Sequence, residues 1–161
     1  MSGAVVSAEI GYRLATLLYE CVRCIDDGRL EDWLDFFAPD CAYTITTREN
    51  RDGGYPIAIL YCRNRDMLHD RVVAIRSENV YKPHYDRHVI GNVVAREAAP
   101  GSYALTASYA VYQTDLEGAT ELFSTGVYEA VVTTTDGRER FAEMVVVIDT
   151  FAVPNHLSTP I

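Results

Sequence analysis

Lysine is almost absent from this 161-residue sequence, since Lys82 is the single lysine among 14 basic residues. The 23 acidic residues leave a formal net charge of −9 at pH 7. A surface this acidic repels phosphate groups, which excludes general nucleic-acid binding. The planar guanidinium of arginine suits hydrogen-bonded ion pairs at subunit interfaces, although GC-rich codon usage would explain the arginine excess equally well.

The sequence also lacks the segments that direct a chain to or through a membrane. No run approaches the roughly 20 apolar residues that a membrane helix needs. The first six residues, Met-Ser-Gly-Ala-Val-Val, contain no basic stretch and no long apolar stretch of a secretory signal. We therefore expect a cytoplasmic protein whose four cysteines are reduced thiols.

Motifs of several enzyme and cofactor classes are missing as well. The sequence contains no GxSxG, Walker A, GxGxxG or HExxH motif. Neither the CxH nor the CxxH half of a Rieske iron–sulfur site is present. A CxxC motif occurs at Cys21 and Cys24, but late in a predicted helix, whereas a redox pair needs the helix N-terminus. Together with Cys41 and Cys62, these residues are predicted to be buried structural thiols.

The first half of the chain has mainly helical periodicity. Apolar residues recur at helical spacing over 7–26, and a second, short helix is predicted from about Leu30 until Pro39 ends it. Asn64 is placed to cap a third helix. Strands are predicted over 41–48 and 57–62, with a loop at 49–56 between them.

The second half changes to the period of two that is typical of strands. Segments near 86–97, 102–114, 119–135 and 138–151 are rich in Val, Thr, Tyr and Ile, and Asp136-Gly137 predicts a type I′ hairpin. Helices followed by long antiparallel strands indicate one α+β domain over residues 1–161, with a curved sheet around a cone-shaped cavity. We expect a short flexible N-terminus and an irregular tail from about residue 154.

One cluster, His84, Asp86 and His88, has the residue types of a non-haem iron site. On a strand the three side chains point the same way, but they span nearly 14 Å, at about 6.8 Å per two-residue step. That distance is too long for one metal shell, and we expect no metal here. Ion pairing of Asp86 or Arg87 at a surface is the favoured interpretation.

Acid–base chemistry in the cone is the remaining catalytic possibility. Its candidate residues are Tyr43, His69, His88 and Asp149, because a His–Asp pair can move a proton. Asp149 follows an apolar strand, so a buried carboxylate paired with arginine is its alternative role.

Four segments carry a resemblance to known families. Residues 25–43, from Ile25-Asp26-Asp27-Gly28 to Tyr43, resemble the opening of the NTF2-like (SnoaL-like) superfamily. Arg48-Glu49-Asn50, Asp66-Met67-Leu68-His69-Asp70-Arg71 and Arg87-His88-Val89-Ile90-Gly91-Asn92 are similar to the small (beta) subunit of aromatic-ring-hydroxylating oxygenases. The resemblance covers roughly residues 10–151 and is nearest to the branch that acts on aromatic carboxylic acids such as salicylate, anthranilate or terephthalate.

The resemblance implies an NTF2-like cone with about three helices and a non-catalytic, structural role. The chain would be the beta subunit of an α3β3 dioxygenase or monooxygenase without a cofactor of its own. The partner alpha subunit would carry the Rieske [2Fe-2S] cluster, the mononuclear Fe(II) and the substrate pocket, with electrons from NAD(P)H through a ferredoxin or reductase. The excess of tyrosine, 11 against 5 phenylalanines, suits such an interface. The predicted interface residues are Arg71, Tyr81, Arg87 and His88.

Two other functions are compatible with the same fold. One is a stand-alone NTF2-like isomerase or dehydratase that uses the four pocket candidates. The other is a small-molecule-binding or dimerisation module without chemistry. Fold alone does not decide among them.

Overall fold

A computed structural model of the chain describes residues 3–77, 83–150 and 160–161. Within these residues, four α-helices, one 3₁₀ turn and one seven-stranded sheet form an α+β fold, as predicted. No helix in the described part of the chain has the length and apolar character needed to cross a membrane. The helices are α1 (Ala8–Asp26), α2 (Leu30–Trp33), α3 (Arg48–Asp52) and α4 (Arg65–Ser77), with the 3₁₀ turn at Leu34–Phe36. The strands are β1 (Ala4–Val5), β2 (Phe37–Thr47), β3 (Leu60–Cys62), β4 (His84–Ala99), β5 (Ser102–Asp115), β6 (Thr120–Thr135) and β7 (Arg138–Ile148).

Helix α1 begins and ends where the sequence predicts. The side chain of Ser7 accepts a hydrogen bond from the main-chain N–H of Ile10, which caps the N-terminus. Gly28, with φ of +69°, takes the left-handed conformation that follows the helix end. The buried face of the helix packs on β4 and β7. It consists of Leu14, Leu18, Cys21, Val22, Cys24 and Ile25.

The sheet has the strand order β1-β4-β5-β6-β7-β2-β3. Strands β4 to β7 form the predicted antiparallel meander, and the turn at Asp136 and Gly137 has the two positive φ values of a type I′ hairpin. One pair differs from the all-antiparallel expectation, because β2 lies parallel to β7, with Tyr43 opposite Met144. The period of two predicts a strand but not its neighbour, so the sequence pattern did not reveal this pair.

Three local predictions were wrong. The second helix is shorter than expected, and β2 begins at Phe37 and includes Pro39. The β2–β7 register shifts between Phe37 and Ala42, so Pro39 lies where the ladder is irregular and a missing N–H is tolerated. The predicted loop at 49–56 contains α3, capped by the Thr47 side chain, and only 60–62 of the predicted strand 57–62 is paired.

The core is built around aromatic side chains in the interior of the cone. The ring of Trp33 lies 4.9 Å from that of Phe37 and 5.6 Å from that of Tyr43, in edge-to-face contacts. The hydroxyl of Tyr43 donates to the main-chain oxygen of Ile161 at 2.7 Å, and Ile161 is itself 3% exposed. Aromatic rings and Ile161 therefore occupy this part of the cone.

A surface ion pair joins helices α2 and α4. The guanidinium of Arg76, on α4, makes two hydrogen bonds to the carboxylate of Glu31, on α2, and a third to the carbonyl of Gly28. The hydrogen bonds from Arg76 to the carboxylate are the main reason why the pKa of Glu31 is lowered to about 2. The bidentate geometry fixes α4 against the start of α2.

Candidate functional site

A buried polar pair joins the end of α1 to β4. Asp26 is the last residue of α1, and His88 is on the face of β4 that points towards the helix. Oδ1 of Asp26 lies 2.6 Å from Nδ1 of His88. The main-chain N–H of His88 also donates to both carboxylate oxygens, at 3.1 and 3.0 Å. We assign the donor role in this contact to Nδ1, because a carboxylate oxygen is the natural acceptor.

The pair is closed off from solvent. The side chains of Asp26 and His88 are 5% and 1% exposed. Nε2 of His88 is buried and has no hydrogen-bond partner among the described residues. A neutral imidazole held through Nδ1 would present a lone pair at Nε2, but a substrate cannot reach this atom in the observed arrangement.

Arg87 lies on the solvent side of this pair. Its Nη1 is 3.8 Å from Oδ2 of Asp26, and its side chain is 67% exposed. Together with Tyr19 and Arg23 from α1, these residues line an open groove of about 210 Å³ between α1 and β4. The groove is shallow and polar, in contrast to the enclosed apolar cavities that usually hold small-molecule substrates.

The predicted cluster on β4 lies on one face, as its alternation indicates. Nε2 of His84 is 3.4 Å from Oδ1 of Asp86 and 3.3 Å from Nε2 of Gln113. His88 is turned towards Asp26 instead. The described part of the chain contains no group of three or more His, Cys, Asp or Glu residues that could hold a metal ion.

The four pocket candidates do not come together. Tyr43 is fully buried, and burial raises its pKa well above the usual value for tyrosine. His69 is exposed on α4. Asp149 follows β7, is exposed and forms an ion pair with Arg48. The predicted pairing with an arginine is therefore present, but it lies at the surface and is not buried. Of the four, only His88 has a partner suited to proton transfer, and that partner is Asp26.

All four cysteines are free and buried, which confirms the prediction of structural thiols. Burial raises the pKa of Cys21 and raises that of Cys41 to about 11. A thiol with a raised pKa is mostly protonated at neutral pH and reacts slowly.

The predicted interface residues fall in different environments. Arg87 is exposed on β4, Arg71 is partly buried on α4, and the side chain of His88 lies inside the protein. Tyr81 lies outside the described residues. Their contribution to an interface stays a prediction.

Asp26 is the residue that the sequence analysis missed. It follows Ile25 in a run of acidic residues, where a carboxylate is expected to be solvated. One signal was available, because Asp26 is four residues after Val22 and so continues the apolar stripe of α1. A carboxylate on a buried stripe predicts a buried partner.

Comparisons with known proteins show a consistent likeness. Residues 21–155 match the family model described as "Ring hydroxylating beta subunit". The anthranilate 1,2-dioxygenase small subunit of Burkholderia cepacia is 38% identical over 138 residues, covering 85% of each chain. The terephthalate 1,2-dioxygenase terminal oxygenase component subunit beta 2 of a Comamonas species is 31% identical over 139 residues, covering 86% of this chain and 90% of that one.

A solved structure gives the same result. The crystal structure of a beta subunit assigned to an aromatic-ring-hydroxylating dioxygenase of Novosphingobium aromaticivorans superposes with a TM-score of 0.83. It is 36% identical, and the match covers 92% of this chain and 94% of that chain. The match supports the predicted NTF2-like architecture of a curved sheet with helices from the first half of the chain.

Proposed function

The chain belongs to the ring-hydroxylating beta subunit family, and from this membership we propose that it is the structural subunit of an aromatic-ring-hydroxylating oxygenase. Its role is to support a larger catalytic subunit and to take no part in the chemistry itself. The observation that carries the proposal is the family match over residues 21–155, which runs from the last turns of α1 through strand β7.

The interior of the cone supports a structural role. The position that a substrate would take is filled by the rings of Trp33, Phe37 and Tyr43 and by Ile161. Burial raises the pKa values of Tyr43 and Tyr128 well above the usual value, so neither phenol serves as a base near neutral pH. A packed aromatic interior supports a rigid shape more than it supports turnover.

The Asp26–His88 pair also has a structural explanation. It joins the end of α1 to a part of β4 that β1 does not cover, since β1 pairs with β4 at Arg96 and Glu97. The stand-alone isomerase or dehydratase is not favoured, because Tyr43, His69 and Asp149 lie apart from this pair.

The partner and the cofactors follow from the proposed role. We place this chain in an α3β3 assembly whose alpha subunit carries the Rieske [2Fe-2S] cluster, the mononuclear Fe(II) and the substrate pocket. A ferredoxin or reductase supplies electrons from NAD(P)H. We propose a cytoplasmic location, where the four free thiols remain reduced.

The substrate that we propose is an aromatic carboxylic acid. Two relatives that are at least 31% identical are named for their action on anthranilate and terephthalate, both of which are benzene carboxylates. The pocket for this substrate belongs to the larger subunit, so residues of the present chain affect its chemistry through assembly.

Metal analysis and turnover assays test the proposal. The purified chain is expected to bind no stoichiometric iron and to consume no anthranilate, terephthalate or salicylate when reduced electron carriers are supplied. The complex with the larger subunit is expected to do both. Stoichiometric iron in the isolated chain that is lost in His84→Ala and His88→Ala would overturn the structural role.

A further inference from the structure

The outer face of the sheet contains a chequered arrangement of carboxylates and valines. On β6 and β7, Val131 lies opposite Glu143, and Glu129 lies opposite Val145. The two glutamates are therefore diagonal neighbours, whose Cα atoms in an antiparallel pair are about 7–8 Å apart. Both side chains point away from the helices, because the alternate residues Ala130 and Met144 are buried in the core.

Small side chains beside these pairs leave a hollow. On β5, Ala104 lies opposite Val131, and Thr106 lies opposite Glu129. Both side chains are shorter than those of the glutamates. A depression with a volume of about 420 Å³ therefore lies beside the glutamates. The floor is formed mainly by half-buried apolar groups.

The charges around the hollow are unequal. Glu129 forms an ion pair with Arg51 of α3, which reaches over the sheet from one side. Glu143 is exposed and has no ion pair with any described residue. The lining of the hollow contains one cation, Arg51, and two carboxylates, and Arg51 is also paired with Asp52. The lining therefore has a net charge of −1. A second cation between the two diagonal carboxylates would balance it.

We propose that this hollow receives a cationic side chain, arginine or lysine, from the larger subunit of the complex. This inference rests on the proposed function and names one surface of this chain that contacts its partner. The methylene groups of such a side chain would cover the valine and alanine floor, and its charged end would lie between Glu129 and Glu143. Arginine fits best, because its guanidinium is weakly hydrated and can bond two carboxylates.

A second copy of this chain related by a two-fold axis is a poorer occupant. In a two-fold dimer the same patch is used on both sides, so the hollow would face its own carboxylates. The formal charge of −9 on each copy adds to the repulsion. A partner with a complementary cation avoids both penalties.

The test measures the affinity of this chain for its larger subunit at two salt concentrations. Glu143→Gln keeps the shape of the side chain and removes its charge, and is expected to weaken binding roughly 10-fold, with a smaller dependence on salt than the wild type shows. Glu143→Lys, which puts a cation against the incoming cation, is expected to weaken it by about 100-fold or more. Glu121→Gln, an exposed glutamate at the other end of β6, is the matched control and should bind as the wild type does.

The outcomes separate this inference from the proposed function. If both Glu143 variants are folded by circular dichroism and bind the larger subunit as tightly as the wild type, the hollow is not a contact with that subunit. This result would leave the structural role intact. Failure of the wild-type chain to bind the larger subunit overturns both. Self-association of the wild-type chain that Glu143→Lys abolishes would identify a second copy as the occupant and would contradict the proposal.

Discussion

The carboxylate of Asp26 accepts hydrogen bonds from both the main-chain N–H and the ring Nδ1 of His88, 62 positions further along the chain. The contact holds the C-terminal end of α1 against β4. The Asp26 carboxylate takes the place of a neighbouring strand's carbonyl as the acceptor for the His88 N–H. Without the carboxylate, this N–H would be a buried donor without a partner. The pair therefore sets the distance between the helix layer and the sheet at this edge.

We expect Asp26→Ala to destabilise the isolated chain substantially. Each of the two donors of His88 would lose its acceptor inside the protein, at a cost of about 1–3 kcal/mol for each group left unpaired. Equilibrium denaturation measures the change in the free energy of unfolding. Asp27→Ala is the control, because its side chain is 45% exposed and its ion pair with Arg29 should be worth less than about 1 kcal/mol. Equal effects of the two variants would show that the Asp26–His88 contact does not stabilise the fold.

Trp33→Ala should lower the free energy of unfolding by about 3–5 kcal/mol, as large-to-small changes in a core do. The ring is 1% exposed and contacts two other aromatic rings. A Leu17→Ala change should cost less than Leu18→Ala, for which about 2–5 kcal/mol is expected, because Leu17 is only partly buried and Leu18 is fully buried. A denaturation midpoint for Trp33→Ala that matches the wild type would contradict this account of the core.

The buried thiols make stability sensitive to high pH. The pKa of Cys41 is raised by burial from 9.0 to about 11 in the folded chain. Well below pH 9 the thiol is protonated in both states, so stability does not change through this group. Between about pH 9 and 11 the unfolded thiol loses its proton first, which favours unfolding, and stability falls.

Thermal unfolding midpoints from pH 8 to 11 test this dependence. The wild-type midpoint should fall above pH 9, and the fall should be less steep in Cys41→Ala, although this variant begins from a lower midpoint. Parallel curves for the two proteins would mean that Cys41 does not contribute to the loss.

Arg87→Ala should leave the isolated chain folded and should weaken assembly. The side chain is 67% exposed and its contact with Asp26 is long, so its removal costs little before the partner binds. If a partner carboxylate buries it, the loss is roughly 2–5 kcal/mol of binding free energy. Arg87→Lys should restore little of this loss, because the planar guanidinium is missing.

Titration of the chain with its larger subunit, alongside circular dichroism of the chain alone, gives both quantities. Arg138→Ala, an exposed arginine next to the β6–β7 turn, is the control. An Arg87→Ala variant that assembles normally would place Arg87 on a solvated surface, and one that unfolds alone would make it part of the internal Asp26 network.

The sequence predicted the helices, strands and turns better than it predicted which strands pair. The apolar stripe of α1, the Asn64 cap of α4 and the Asp136-Gly137 turn are local signals, and the structure confirms each of them. The parallel pairing of β2 with β7 depends on contacts about 100 residues apart, which no local pattern contains.

The candidate site was likewise predicted only where the signal is local. The strand period predicted that His84, Asp86 and His88 share one face of β4, but it did not predict that His88 contacts Asp26. That partner lies on a different element, next to another acidic residue, where a carboxylate is expected to be solvated. The position of Ile161 against Tyr43, which fills the cone, likewise needs the folded chain. The similarity of four segments indicates the family, whereas the packed interior is visible only in the three-dimensional contacts.

The most direct test of the structural role is the native mass of the complex. The chain is co-expressed with the larger oxygenase subunit proposed as its partner, which we expect to contain CxH and CxxH, and the eluted species is weighed by native mass spectrometry. The account predicts one species with three copies of each subunit and no iron in any free copy of this chain. Elution of this chain apart from the large subunit, with turnover of an aromatic acid in its own fractions, would contradict it.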